Sequence, residues 1–143
     1  MEAKVELKQF RCMGDARGQL IALEVLSEMM PVEVRRMYYI FDTRPGVDRG
    51  LHAHRELKQM LICVSGACTI ECEFPDGTKV EHRLDWPDKG LLIEGLVWRK
   101  MKDFCKDSVL VVLASEHYDE RDYIRDYKAF RAMALAVMKE NQI

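Results

Sequence analysis

The feature that most constrains the fold is a succession of short strand-like segments separated by turn signals. One such segment, residues 34–42, is rich in β-branched and aromatic residues and ends at Arg44-Pro45-Gly46. Pro75-Asp76-Gly77 and Pro87-Asp88-Lys89-Gly90 mark later turns. About nine segments of this kind precede residue 115, and such short, closely spaced strands favour a sandwich or barrel over a parallel sheet.

The pattern changes after residue 119. Asp119 and Asp122 stand where the first turn of a helix prefers acidic residues. Apolar and aromatic residues then recur at intervals of three and four, as expected for one helix face; they are Tyr123, Tyr127, Phe130, Ala134 and Val137. We therefore predict one domain over residues 1–143, with a barrel at about 4–115 and a helical tail at about 119–140.

Composition excludes several classes of partner. A length of 143 residues, with 48% hydrophobic and 32% charged residues, is typical of an ordinary globular domain. A net charge of −2 and the lack of a basic run argue against nucleic acid. No apolar run reaches the length of a membrane span, so no membrane partner is expected. The five scattered cysteines are best interpreted as small reduced core residues of a cytoplasmic protein.

His52 and His54 are separated by one residue in a strand-like segment. Strand alternation directs both imidazoles to the same face, roughly 6.5–7 Å apart along the chain. The spacing of these residues to Gln59 and Gly66 resembles the first motif of the cupin superfamily, in which an acidic metal ligand stands at the Gln59 position. Gly95-Leu96-Val97-Trp98-Arg99 also lacks the third histidine of a metal-binding cupin. Because a divalent ion usually needs three or four ligands, we predict no metal, no cofactor and proton chemistry.

Four segments spanning nearly the whole chain carry a more specific resemblance. They are Asp15-Ala16-Arg17-Gly18-Gln19-Leu20, Arg36-Met37-Tyr38-Tyr39-Ile40-Phe41-Asp42, Arg49-Gly50-Leu51-His52-Ala53-His54, and Val112-Leu113-Ala114-Ser115-Glu116-His117-Tyr118-Asp119-Glu120 continuing into Asp122-Tyr123-Ile124-Arg125. In order and spacing they resemble the cupin-type 3,4-ketoisomerases that act on dTDP-4-keto-6-deoxyglucose, in pathways to 3-amino-3,6-dideoxy sugars. The resemblance implies an all-β, double-stranded β-helix (a jelly-roll barrel), a homodimer, no required metal and a dTDP-linked keto sugar as substrate.

The chemistry of this reaction suits histidine. Moving a ketone from carbon 4 to carbon 3 requires removal of the proton on carbon 3, an enediol intermediate and return of a proton to carbon 4. A group with a pKa near working pH can serve as base and then as acid. The resemblance places Tyr38 inward with the histidines. We predict His54 as the base at carbon 3, with His52 and Tyr38 as proton donors or orienters at the sugar oxygens.

Six further residues are predicted to bind substrate: Arg17, Arg36, Arg49, Gln59, Trp98 and Arg99. Guanidinium groups at a barrel mouth suit a pyrophosphate, although Arg17 and Arg49 would equally suit a solvated surface. Gln59 is interpreted as an exposed strand residue or as a hydrogen-bond partner of a histidine or a sugar hydroxyl. Trp98 is interpreted as core packing or as a platform for the thymine or sugar ring. Arg99, where some family members carry His, is expected at the pocket rim.

Two other function classes remain open at this point. A 3,5-epimerase of dTDP-keto sugars would rely on a His–Asp pair with a tyrosine, and the sequence singles out no such pair. A non-catalytic or metal-dependent cupin would act as a small-molecule binding module or a dioxygenase. If the chain is a ketoisomerase, the sequence leaves open whether carbon 4 is reprotonated to the gluco or the galacto product. In the expected dimer, the N-terminal strand or the aromatic tail is predicted to cross the interface.

Overall fold

The computed structural model describes residues 1–142, which form twelve strands and one α-helix. The strands are β1 (Lys4–Gln9), β2 (Met13–Asp15), β3 (Gly18–Leu20), β4 (Arg36–Ile40), β5 (Arg49–His54), β6 (Lys58–Ser65), β7 (Cys68–Glu73), β8 (Lys79–Leu84), β9 (Lys89–Glu94), β10 (Trp98–Lys102), β11 (Val109–Ala114) and β12 (Tyr123–Ile124). The helix α1 spans Tyr127–Glu140. The predicted all-β class with a C-terminal helical segment is confirmed.

Two five-stranded sheets, paired antiparallel throughout, face each other. The first has the order β1-β9-β6-β11-β4 and the second β12-β5-β10-β7-β8. Neighbours in each sheet are mostly distant in sequence, as in a jelly roll made of interleaved strands. Because inward and outward side chains alternate, the inner faces of both sheets supply one apolar core. Its members include Leu61, Ile70, Leu91, Ile93, Met101, Leu110 and Val112.

Helix α1 covers the outer face of the second sheet. Phe130 and Ala134 are its buried residues, and they pack against Ala53 of β5 and Ile124 of β12. Asp126 caps the N-terminus, with its carboxylate accepting a hydrogen bond from the amide of Ala129 at 3.3 Å. The helix therefore covers the side of β5 opposite to the face that carries the two histidines.

The helix begins later than the sequence predicts, at Tyr127 instead of near residue 119. Asp119 caps only a single 3-10 turn, Glu120–Asp122. Tyr123 and Ile124 then pair with β5 as strand β12. The sequence pattern is misleading here because the carboxylates of Asp119 and Asp122 accept hydrogen bonds from groups outside α1.

The region before β4 contains little regular structure. Strand β3 ends at Leu20 and forms only a small two-stranded ribbon with β2. All residues from 11 to 20 are exposed, so this ribbon projects from the barrel. Within residues 1–142, no helix has the length and apolar character needed to cross a membrane.

Candidate active site

A cleft of about 430 Å³ lies between β4, an edge strand of the first sheet, and β5 of the second sheet. Strand β4 of the first sheet supplies Arg36 and Tyr38, and β5 of the second supplies Arg49 and His52. The C-terminal segment closes one side with Tyr118, Tyr123 and Arg125. The jelly roll thus brings together residues that lie up to about 90 positions apart in sequence.

The two histidines lie side by side, with ring centroids 4.7 Å apart and nearly perpendicular planes. His52 is 6% exposed and lines the cleft, whereas His54 is fully buried. The His52 Nδ1 lies 2.8 Å from the carbonyl oxygen of Gly50. A carbonyl only accepts hydrogen bonds, so Nδ1 carries the proton and Nε2 of the neutral ring has a free lone pair.

A carboxylate determines which ring nitrogen of His54 carries the proton, as the Gly50 carbonyl does for His52. Asp122 Oδ2 lies 2.9 Å from His54 Nδ1, and Asp122 Oδ1 accepts hydrogen bonds at 3.0 Å from the main-chain amides of Arg55 and Glu56. Nδ1 of His54 is therefore the donor, and its Nε2 is again the unprotonated nitrogen. Both Nε2 atoms are buried, with no hydrogen-bond partner in residues 1–142.

The sequence singles out no His–Asp pair, but the structure contains one, between His54 and Asp122. Asp122 is 68 positions from His54. The pairing arises because β12 aligns Tyr123 with His54, which brings the preceding residue to the end of β5. The available signal was the acidic residue within Asp122-Tyr123-Ile124-Arg125, which the sequence pattern assigned to a helix instead.

Both imidazoles are held neutral. Burial and the nearby Arg99 guanidinium lower the pKa of His52 from 6.5 to about 4. The pKa of His54 is also lowered, chiefly by burial and then by Arg99, so these effects outweigh the attraction of Asp122 for a proton. At neutral pH each ring therefore presents a free Nε2 lone pair, the form that can accept a proton.

Tyr38, Gln59 and Arg99 form a chain of hydrogen bonds inside the barrel. Arg99 Nη1 donates to Gln59 Oε1 at 2.6 Å, and Gln59 Nε2 donates to the hydroxyl of Tyr38 at 3.1 Å. Gln59 is fully buried, which excludes the exposed interpretation and places its amide against a tyrosine and an arginine. The expectation that Arg99 lies at the pocket rim is wrong, because its side chain is also fully buried.

Three guanidinium groups line the same cleft as His52: those of Arg36, Arg49 and Arg125. Arg36 and Arg49 have no carboxylate partner within 4.0 Å in the described chain, and Arg36 Nε is buried without a hydrogen-bond acceptor. Arg125 lies over the ring of Tyr123 at 4.3 Å and donates two hydrogen bonds to Glu120. The cleft is therefore rich in positive charge that can meet an anionic ligand.

Across residues 1–142, no group of three His, Cys, Asp or Glu side chains is arranged to hold a metal ion. Near the histidines, the Gln59 amide oxygen already accepts a hydrogen bond from Arg99, and the Arg99 guanidinium is a cation, so neither side chain is a good metal ligand. The chemistry available in the cleft is proton transfer and hydrogen bonding from the two imidazoles and a phenol.

Comparison with known proteins gives a consistent family. The family model described as FdtA, WxcM-like, C-terminal matches residues 3–135. The TDP-4-oxo-6-deoxy-α-D-glucose-3,4-oxoisomerase of Aneurinibacillus thermoaerophilus is 41% identical over 143 residues, which cover 99% of both chains. The chain belongs to this family.

Solved structures agree with the family assignment. A 3,4-ketoisomerase from Helicobacter canadensis is 42% identical, with a TM-score of 0.86 over 91% of this chain and 96% of that one. A sugar 3,4-ketoisomerase from Thermoanaerobacterium thermosaccharolyticum in complex with TDP is 40% identical, with a TM-score of 0.87 over 92% and 95%. The resemblance to the sugar 3,4-ketoisomerases is confirmed. An epimerase from Mycobacterium tuberculosis, 17% identical with a TM-score of 0.73 over 86% and 72%, shares the jelly-roll fold.

Two residues predicted to bind substrate lie away from the cleft in this family member. Arg17 is exposed at the end of the β2–β3 ribbon and donates hydrogen bonds to Asp15. Trp98 faces the opposite side of β10, where its ring lies 5.4 Å from that of Tyr127 and 5.6 Å from that of Phe130. Trp98 therefore packs under the helix, in line with the core interpretation.

The tautomers of the two histidines can be tested directly. We expect ¹⁵N–¹H correlation spectra at pH 6 to show His52 and His54 neutral and protonated on Nδ1, because a carbonyl and a carboxylate accept from those atoms. As the pH falls, His52 should acquire charge only near its lowered pKa of about 4. A His52 titration centred near 6.5, or a proton on Nε2, would contradict the geometry described above.

Proposed function

We propose that this protein is a single-domain enzyme that converts TDP-4-keto-6-deoxyglucose to a TDP-3-keto-6-deoxyhexose. The observation that carries the proposal is a cleft lined by His52 and the partly buried Tyr38, with His54 directly behind His52 and both rings neutral and protonated on Nδ1. The chain is also 41% identical over 143 residues to an oxoisomerase of this sugar. The reaction proceeds through an enediol and needs only groups that accept and donate protons.

The proposed role of each histidine follows from its access to the cleft. His52 lines the cleft, so its Nε2 can approach a sugar carbon, whereas His54 lies behind it. We assign His52 as the base at carbon 3, which reverses the order favoured by the sequence. His54, held by Asp122, is assigned to proton transfer at the sugar oxygens. Tyr38 donates a hydrogen bond to the oxygen on which negative charge develops.

In this proposal the arginines hold the nucleotide part of the substrate. A diphosphate carries negative charge that guanidinium groups bind through paired hydrogen bonds. Arg36 and Arg49, which lack carboxylate partners in residues 1–142, and Arg125 line the same cleft as His52. With the diphosphate against these arginines, the sugar would extend inward toward Tyr38 and the histidines.

A TDP-keto-sugar epimerase remains the second candidate, because the His54–Asp122 pair removes one argument against it. The comparison with an epimerase concerns the fold alone at 17% identity, whereas the identity to the 3,4-ketoisomerase from Helicobacter canadensis is 42%. The ketoisomerase is therefore the function better supported.

The decisive assay is incubation with TDP-4-keto-6-deoxyglucose followed by NMR of the products. We expect a 3-keto product, and the configuration at carbon 4 will identify it as gluco or galacto. Turnover should persist after exhaustive treatment with EDTA, because the groups in the cleft transfer protons without a metal. Epimerisation at carbon 5 without a 3-keto product would favour the epimerase, and loss of turnover restored by one divalent ion would contradict the proton-transfer proposal.

The roles of the two histidines can be separated by solvent exchange. His52→Asn and His54→Asn should each lower kcat by roughly 10²–10⁴-fold, the usual contribution of general acid–base catalysis. In D₂O, the His54 variant should still incorporate deuterium at carbon 3 even when product forms slowly, whereas the His52 variant should not. The reverse pattern would exchange the two roles, and unimpaired turnover in both variants would exclude the cleft from the mechanism.

We further propose that the protein is a homodimer formed through the outer face of β4. Strand β4 is an edge strand, and Met37 and Tyr39 on this face are 58% and 57% exposed. Phe41, just after the strand, is 64% exposed, and its ring lies 6.1 Å from that of Tyr39. An exposed apolar edge of this kind is usually covered by a partner. The N-terminal strand and the aromatic tail, which the sequence predicts to cross the interface, have partners in their own subunit. Strand β1 pairs with β9, and Phe130 of α1 is buried against the barrel.

Sedimentation can test this interface. The protein should sediment as a dimer at micromolar concentration, and Tyr39→Lys should shift it toward monomer because a charge would be buried against apolar side chains. Thr78→Lys, at an exposed turn between β7 and β8, is a matched control that should leave the dimer intact. A monomeric wild-type protein, or a dimer unaffected by Tyr39→Lys, would contradict the proposal.

A further inference from the structure

The Gln59 carboxamide is the link between a buried cation and a candidate catalytic hydroxyl. Gln59 lies on β6 in the first sheet, and Arg99 lies on β10 in the second, so their hydrogen bond of 2.6 Å crosses the interior of the barrel. On its other side, Gln59 contacts the Tyr38 hydroxyl at 3.1 Å. Both Gln59 and Arg99 are fully buried, so no solvent molecule competes for these contacts from outside.

The orientation of this amide follows from the donors around it. A guanidinium group donates hydrogen bonds and cannot accept them, so the amide atom facing Arg99 has to be the oxygen. The NH₂ group therefore faces Tyr38, and it donates to the hydroxyl oxygen. The reverse orientation would place two sets of donors against each other at 2.6 Å.

This orientation determines where the Tyr38 proton points. Because the hydroxyl oxygen already accepts from Gln59, its own hydrogen has to be directed elsewhere. No group in residues 1–142 accepts a hydrogen bond from it. Tyr38 lines the cleft beside His52, so the hydrogen is available to a ligand in the cleft.

Arg99 fixes the direction of this chain of hydrogen bonds, and its charge polarises the Gln59 amide and the Tyr38 phenol. It has no carboxylate within 4.0 Å in the described chain, and its remaining contact is a hydrogen bond of 3.0 Å to the Val97 carbonyl. Its charge is therefore not neutralised inside the barrel and acts on the amide and the phenol. Burial still raises the pKa of Tyr38 above 10.0, so the phenol remains protonated at neutral pH and serves as a donor.

We propose that Gln59 and Arg99 are positioning residues that direct the Tyr38 hydroxyl proton toward an oxygen of the keto sugar. The inference rests on the proposed function, which it deepens by giving a role to two buried residues that do not themselves line the cleft. Arg99 can only donate to Gln59, and Gln59 can then only donate to Tyr38. The Tyr38 hydroxyl is therefore held as a donor toward the cleft before substrate binds.

The same argument explains why an amide serves here and a carboxylate would not. A glutamate at position 59 would pair with Arg99 and accept hydrogen bonds from both sides. The Tyr38 hydroxyl would then donate to that carboxylate and turn its proton away from the cleft. The change is nearly isosteric and creates an ion pair with Arg99, so the barrel should tolerate it.

The experiment is a double-mutant cycle on kcat and KM. Gln59→Glu should lower kcat by about 10²-fold with little change in KM, as should Tyr38→Phe, because each removes one donor to the developing negative charge. In the Tyr38→Phe background, Gln59→Glu should cause no further loss, since the hydroxyl it acts through is gone. Gln142→Glu, at an exposed position after α1, is the matched amide-to-acid control and should be unchanged.

A second measurement does not depend on turnover. With ¹³C-labelled tyrosine, and Tyr38→Phe to assign the resonance, the pKa of Tyr38 should rise in Gln59→Glu because an amide donor to the phenolate is replaced by a negative charge. An unchanged kcat in Gln59→Glu, a full additional loss in the Tyr38→Phe background, or an unchanged Tyr38 pKa would overturn the inference. A wild-type protein without ketoisomerase activity would refute the proposed function. The change in the Tyr38 pKa would still test whether Gln59 donates to the Tyr38 hydroxyl.

Discussion

The hydrogen bond between His54 and Asp122 connects the site to the whole C-terminal part of the chain. The Asp122 carboxylate accepts three hydrogen bonds, from the His54 ring and from the amides of Arg55 and Glu56. A largely buried carboxylate needs such donors to offset its lost hydration. Once Asp122 is held there, the next two residues pair with β5 and α1 follows over the outer face of the second sheet.

Arg99 sets the electrostatics of the interior. A buried guanidinium without a carboxylate partner is costly, and two acceptors, Gln59 Oε1 and the Val97 carbonyl, provide partial compensation. Burial lowers the pKa of both histidines most, and the charge of Arg99 lowers it further, which favours their neutral, proton-accepting forms. The same charge opposes the effect of burial on Tyr38. One side chain thus favours neutral bases and a phenol that readily donates a hydrogen bond, which is the combination that an enediol reaction requires.

The periodicity of the sequence predicts those features of the fold that depend on local sequence alone. Turn residues and short apolar segments identify the strands, and alternation correctly directs His52 and His54 to one side of β5. Alternation also carried a signal for Arg99 that the prediction did not use. Arg99 shares its strand face with the fully buried Val97 and the nearly buried Met101, whereas Trp98 belongs to the other face.

The remaining features depend on contacts between distant segments. An aspartate near the start of a helical pattern is indistinguishable, in sequence, from one that crosses to a histidine 68 positions away. Residues from 119 onward have a local preference for a helix, but three hydrogen bonds to Asp122 and the pairing of β12 with β5 stabilise a different conformation. Similarly, nothing local distinguishes the Gln59 amide from a solvated one, because its two partners come from β4 and β10.

The two histidines reach the same tautomer by different routes, one local and one tertiary. Gly50 has φ of 84°, a conformation that favours glycine, and its carbonyl lies 2.8 Å from His52 Nδ1. At the same place β10 shifts register against β5 between Arg99 and Lys100, an irregularity typical of strands beside functional sites. The backbone of β5 therefore orients His52 from within its own strand, whereas His54 depends on the C-terminal segment. Because neither Nε2 atom carries a proton, the site would not have to rearrange its protons to begin the proposed reaction.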